Sequence, residues 1–222
     1  MFPYNPVWKP CMTLLATPKP ANRLTAADWV EAALQALKSG GIEAVQITTL
    51  AKALGVTRGS FYWHFESREA LTEALLAEWR ARNTGVMVEA IRDVATLDDG
   101  ILALFSVWVD HTRFDPALDQ AIRDWARRDT TLNNTVRAED DARIASIARF
   151  FERQGYTQPE AFIRARVIYL TQLSYYALKV DEHESLSERK TYLDAYFKCF
   201  TGRDINPATG AAFLAMIEKD AP

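Results

Sequence analysis

From Thr25 onward, apolar residues recur at helical spacing along nearly the whole chain. Val30, Ala33, Leu34 and Leu37 stand at i, i+3, i+4 and i+7 behind TAAD, where Thr25 and Asp28 have capping-box spacing, and Gly40 and Gly41 close that helix. Leu50, Ala51 and Leu54 form the apolar face of a second, shorter helix with Lys52 outside it. Gly55 offers the left-handed backbone that ends a helix without a Cβ penalty, and the Thr57 hydroxyl is expected to cap the helix that follows. There Phe61 and Phe65, at i and i+4, are expected to pack inward with Val56. Arg58, Gly59, Ser60, Tyr62, Trp63 and His64 are left on the outer surface.

The same periodicity continues to the C-terminus. Ser67 caps a helix carrying Leu71, Leu75, Leu76 and Trp79, which runs to about Asn83 and further if Gly85 is tolerated. Asp98 and Asp99 open a helix with Ile101, Leu102, Phe105 and Val109. Pro116 starts one to about Arg128, and Thr131 one that ends at Gly155. Pro159 opens an apolar helix to about Val180, Ser185 or Ser187 caps another to about Thr201, and a short helix follows Pro207. No alternating β-branched runs with hairpin turns occur, so the predicted fold class is all-α.

A helix, a Gly-centred corner and a second helix with a cation, small residues and aromatic hydrogen-bonders on its outer face suit a DNA major groove. The stretch from Gln46 to Arg68, through LAKALGV, TRGSFYWHF and SREAL, resembles the helix-turn-helix of the TetR family of bacterial transcriptional regulators. Ile47 stands where many relatives carry Thr, and Arg68 replaces the usual Lys while keeping its charge. The resemblance covers about a quarter of the chain. It implies a DNA-binding domain over 23–84, with the motif at about 46–65, then a helical effector-binding and dimerisation domain over 85–222.

By that resemblance and by the surface argument, base reading is assigned to Thr48, Arg58, Gly59 and Ser60. Tyr62, His64 and Arg68 are assigned to phosphates and Trp63 to a thymine methyl or a sugar, the alternative for Tyr62 and Trp63 being plain core aromatics. Two late helices carry Ile163, Val167, Leu170, Leu173 and Ala177, and Tyr192, Leu193, Tyr196 and Phe197. They are read either as monomer core or, as the resemblance implies, as half of a four-helix homodimer interface.

The second domain is rich in aromatics. Phe105, Trp108, His111, Trp125, Phe151, Tyr169 and Tyr176 are the candidate lining of a cavity for a small apolar or aromatic effector, whose binding would release a repressor from a palindromic operator. A regulator controlled by a protein partner, or by no ligand, is the alternative.

Composition narrows the field. Of 222 residues, 49% are hydrophobic and 25% charged, which is ordinary for a soluble globular protein, and no apolar run is long enough for a bilayer. The short CMTLLA patch is too brief and Pro-flanked for a secretory signal, so a cytoplasmic location is expected. The net charge of -3 hides an asymmetry: residues 1 to 84 hold nine Lys/Arg against seven Asp/Glu, the remainder 17 against 22. Cys11 and Cys199 lie far apart and imply neither disulfide nor zinc site.

Residues 1–22, with five prolines and Phe2, Tyr4 and Trp8, read as an extended arm that is either a loose tail or a segment that docks on the body or on DNA. Nothing supports an enzyme or a cofactor. Adjacent Asp110 and His111 diverge on a helix, the acidic run Glu139, Asp140, Asp141 is expected to be a solvated face, and no metalloprotease, nucleophile-elbow or phosphate-loop motif occurs.

Overall fold

The computed structural model describes residues 24–219, and the N-terminal arm and Cys11 lie outside them. Among the described residues every regular element is helical, and no helix is long and apolar enough to cross a membrane.

Helix α1 (Ala26–Gly40) begins at the expected capping box on Thr25, with Asp28 returning the bond. Its buried side chains, Trp29, Ala33, Leu34 and Leu37, form one stripe. Helices α2 (Ile47–Ala53) and α3 (Arg58–Phe61) follow, and α4 (Arg68–Trp79) starts at Ser67, whose hydroxyl accepts from the Ala70 amide. The Thr57 side chain makes no capping bond, contrary to expectation; its backbone carbonyl alone accepts from the Ser60 amide, at 3.0 Å.

The helix expected to fade near Asn83 does not stop. A π-helical stretch, Arg80–Gly85, carries the chain into α5 (Val86–Ala90), and Gly85 itself has helical dihedrals. One continuous rod therefore joins the N-terminal helices to the rest.

Then come α6 (Leu97–Val109), α7 (Pro116–Ala126) and the long α8 (Thr130–Arg153), capped by Thr96, Asp115 and Asp129. Helix α9 (Glu160–Ala177) ends three residues before the expected Val180, and Lys179 takes a left-handed conformation there. The single helix expected up to Thr201 is two, α10 (Leu186–Thr191) and α11 (Leu193–Thr201), before α12 (Pro207–Lys219).

Two apolar cores result. The first gathers α1 to α4 around Trp29, Phe61, Leu71 and Trp79, but it is completed from later sequence by Leu118 and Ile122 of α7 and by Leu132 and Val136 of α8. The second fills the space between α5, α6, α8, α9, α11 and α12. Gly100 lets α6 and α8 approach closely, since a Cβ there would sit 2.1 Å from the Phe150 ring.

Candidate nucleic-acid interface and interior site

The corner between α2 and α3 is set by Gly55, at φ 69°, and is closed by the Val56 amide on the Ala51 carbonyl at 2.9 Å. Phe61 anchors the short α3: it is fully buried, edge-on to Trp29 at 5.3 Å and stacked on Phe65 at 5.6 Å. With that side chain locked inward, the remaining residues of the turn have only the outside. Trp63 is 84% exposed, which removes the core-aromatic alternative for it, and Tyr62 is half exposed.

Arg58 donates to the Tyr62 hydroxyl at 3.2 Å with its guanidinium 5.9 Å from the ring centre. Thr48, Arg58 and Gly59 are exposed, whereas Ser60 and His64 are half-buried at the edge of the same surface. A Cβ at Gly59 would meet Thr57 Oγ1 at an ordinary 3.7 Å, so the fold itself does not demand a glycine there.

Arg68, expected at a phosphate, is engaged within the chain. Its Nε donates to the Val45 carbonyl at 2.8 Å and Nη2 to the Ile42 carbonyl at 3.0 Å, so the guanidinium ties the start of α4 to the turn between α1 and α2. The Ile42 carbonyl also accepts from the Val45 amide at 3.2 Å, so the guanidinium adds a second donor there and supplies one to the Val45 carbonyl at the end of the 3₁₀ turn Ile42–Ala44.

The seven aromatic and imidazole candidates of the second domain do not share one cavity. Phe105 and Trp108 line an apolar cavity between α6, α9, α11 and α12, together with Gln172, Tyr175, Phe200 and Phe213. Behind it lies a smaller recess lined by Trp108, Tyr169 and Tyr176. His111 and Trp125 lie instead on an open cleft between the end of α1 and α7. Phe151 lines none of these spaces; it is buried against Phe150 and Tyr156 at 5.8 and 5.2 Å. The Tyr176 hydroxyl donates to the Trp108 carbonyl, and His111 Nε2 lies 3.4 Å from it. Burial pushes the Tyr175 phenol up to about 12, so at neutral pH it keeps the proton it donates to Glu184 at 3.2 Å.

Pattern reading missed a polar network beneath the recess. Asp119 Oδ1 accepts from Trp79 Nε1 at 2.9 Å and from Arg143 Nη1 at 3.1 Å, while Asp119 Oδ2 accepts from Arg123 Nε at 2.8 Å. Arg123 also grips Asp140 through two bonds, and the Tyr169 hydroxyl joins Asp140 at 2.5 Å. Arg143 Nε reaches Thr84 Oγ1 at 2.9 Å, and Glu139 accepts from Arg80 and Thr84.

The acidic run is therefore not a solvated face. Asp141 is exposed, but Glu139 and Asp140 turn inward because α8 is covered on that side by α7, α9 and the connecting rod. Burial alone would raise Asp119, yet Arg143 and Arg123 outweigh it and hold the carboxyl below its usual range. The spacings Asp119/Arg123 and Asp140/Arg143, at i+4 and i+3, were the available sequence signal.

The family described as bacterial regulatory proteins, tetR family, matches residues 30–75, which span α1 to most of α4. Among curated proteins, the HTH-type transcriptional regulator TtgR of Pseudomonas putida is 40% identical over 52 residues, 23% of this chain and 25% of that protein. The nucleoid occlusion factor SlmA of Actinobacillus pleuropneumoniae is 26% identical over 112 residues, 50% of this chain and 51% of its own. The chain thus aligns with at most about half the length of these curated relatives. Among solved structures, a TetR-family transcriptional regulator from Marinobacter aquaeolei superposes with a TM-score of 0.62 at 15% identity, covering 90% of this chain and all of that one, which establishes the fold. Residues 30–75 thus match the tetR family of bacterial regulatory proteins, in a chain whose overall fold is similar to that of a solved TetR-family regulator.

Proposed function

We propose that the protein is a dimeric, sequence-specific DNA-binding transcriptional regulator, a repressor that a small apolar molecule releases from a palindromic operator. The observation that carries this reading is the outward face of α3 and the turn after it, where buried Phe61 leaves Arg58, Gly59, Tyr62 and Trp63 exposed, with Trp63 84% open to solvent among the described residues. Arg58 suits a guanine edge, and Gly59, not required by the fold, suits close backbone approach to a base pair. Thr48 and Ser60 flank them as short hydroxyl donors, and His64 sits toward the phosphate rim.

Pairing is supported by α9 and α11. Phe162, Ile163, Val167 and Leu170 on the first, with Tyr196 on the second and Tyr192 just before it, are large apolar side chains between 39% and 49% exposed. Leu193 and Phe197, on the other side of α11, are buried in the monomer. An apolar stripe at helical spacing left uncovered on two neighbouring helices fits a two-fold helix bundle. A two-fold pair places two reading helices on half-sites about one turn apart.

Effector control, rather than dimerisation alone, is supported by the cavity between α6, α9, α11 and α12, an apolar space with polar groups turned into it. Selection of duplexes from a random pool on the purified protein tests the reading. Recovery of an inverted repeat bound by a dimer is expected; recovery of unrelated sequences, or no retention at low salt, would overturn it.

A further inference from the structure

Three buried N–H groups around the interior cavity have no acceptor: Trp108 Nε1, Gln172 Nε2 and Arg143 Nη2. Trp108 and Gln172 line both the larger cavity and the recess behind it, so they form the partition between the two, and Arg143 lines the recess. Trp108 is 3% exposed and Arg143 1%, so water at the surface does not satisfy them. Burial raises the Tyr176 phenol and the neighbouring Gln172 amide opposes this, but Nε2 itself reaches no acceptor at hydrogen-bonding geometry. Asn83 Oδ1, a buried acceptor without a partner, lines neither space.

An indole and a guanidinium can only donate. A buried donor left unpaired costs about 1 to 3 kcal/mol, and three in one place are a deficit that an occupant bringing acceptors would relieve. Elsewhere on the wall Tyr175 donates to Glu184, and Arg189 stacks on Tyr175 at 5.0 Å.

Charge then separates the possible acceptors. The recess already contains Asp119, with Asp140 behind it, and each carboxylate is paired with the arginines Arg143 and Arg123. The cations Arg189 and Lys190 line the outer cavity and not the recess, so an anionic head in the recess would sit beside two carboxylates whose arginines are already paired, whereas a neutral oxygen accepts the same N–H groups without that penalty.

We infer that the interior site takes an apolar molecule whose buried end is a neutral carbonyl, of the ketone or ester kind, received by the N–H groups of Trp108 and Gln172. This rests on the reading of the cavity as an effector site and adds to it the chemistry of the guest.

The test uses three probes of nearly equal shape, acetophenone, α-methylstyrene and benzoate, titrated into the full-length protein by calorimetry. In an apolar pocket without donors the alkene binds better than the ketone, because the carbonyl loses its water. Here acetophenone is expected to bind about tenfold tighter than α-methylstyrene, the worth of one or two buried hydrogen bonds, and tighter than benzoate. Trp108→Phe keeps an aromatic ring and removes the N–H, and Gln172→Leu removes the amide. In each the ketone's advantage shrinks while the affinity for α-methylstyrene stays within about twofold. Unchanged α-methylstyrene binding also shows that the variants fold. Equal binding of ketone and alkene to the natural protein, a full advantage retained in both variants, or tighter binding of benzoate would overturn the carbonyl assignment and leave the effector site standing. Binding of none of the three would strike the effector site itself, and the assignment with it.

Discussion

Arg143 and Asp119 meet 3.1 Å apart, 1% and 4% exposed at their side chains, and tie α8 to α7 directly beneath the rod that leads to the N-terminal helices. The rod takes part in the same network, since Trp79 donates to Asp119 and Thr84 accepts from Arg143. Removing one partner of a buried ion pair leaves the other charge stranded. Arg143→Leu or Asp119→Leu is therefore expected to destabilise the fold by about 3 to 5 kcal/mol, and the double substitution by clearly less than the sum. Denaturant unfolding of the three variants measures this, and additive losses would show that the pair is not coupled.

The pH dependence follows from the same residue. The native Asp119 carboxyl is held below its usual value by Arg143 and Arg123. A depressed carboxylate contributes stability that is complete above its unfolded pKa of about 3.9 and is lost as pH falls through the native value. Stability is thus expected to be flat near neutrality and to fall on acidification below about pH 4. Asp119→Asn should flatten that acid limb relative to the natural protein in melts from pH 7 to pH 3.

Arg58 and Arg68 are expected to behave differently when each is changed to Ala. Arg58→Ala should cost about 1 to 3 kcal/mol at one base pair of each half-site and leave binding to random duplex nearly unchanged. Arg68 is bonded to the Ile42 and Val45 carbonyls, so Arg68→Ala should lower the melting temperature while leaving the salt slope of DNA binding unaltered. Anisotropy titrations at several salt concentrations separate the two. A reduced slope for Arg68→Ala would restore a phosphate contact.

Val167→Glu combined with Leu170→Glu places two charges in the uncovered stripe of α9, where both residues are nearly half exposed in the monomer. Circular dichroism should be unchanged, light scattering should report a monomer, and operator affinity should fall toward that for random duplex. A dimer that persists would move the interface elsewhere.

Gly100→Ala drives a methyl to 2.1 Å from the Phe150 ring, against a core with no room to yield. A loss of about 1 to 3 kcal/mol is expected, partly recovered when Phe150→Leu is added. Failure of the second change to help would mean that the backbone of α6 shifts instead.

Local pattern alone determined most of the helices of this protein. The capping box at Thr25, the Gly55 corner, the cap at Ser67, and the inward Phe61 with outward Trp63 are all marked by residue patterns within about four positions, and those are written consecutively in the chain. Tertiary structure decided what depends on elements far apart in sequence. Phe105 and Trp108 came to line a cavity while Phe151, equally apolar, was sealed in the core, because only the packing of α6, α8, α9, α11 and α12 assigns each ring a side. The inward turn of Arg68, Glu139 and Asp140 has the same cause: carbonyls and cations brought beside them from 17 to 59 residues away give each charge a partner there.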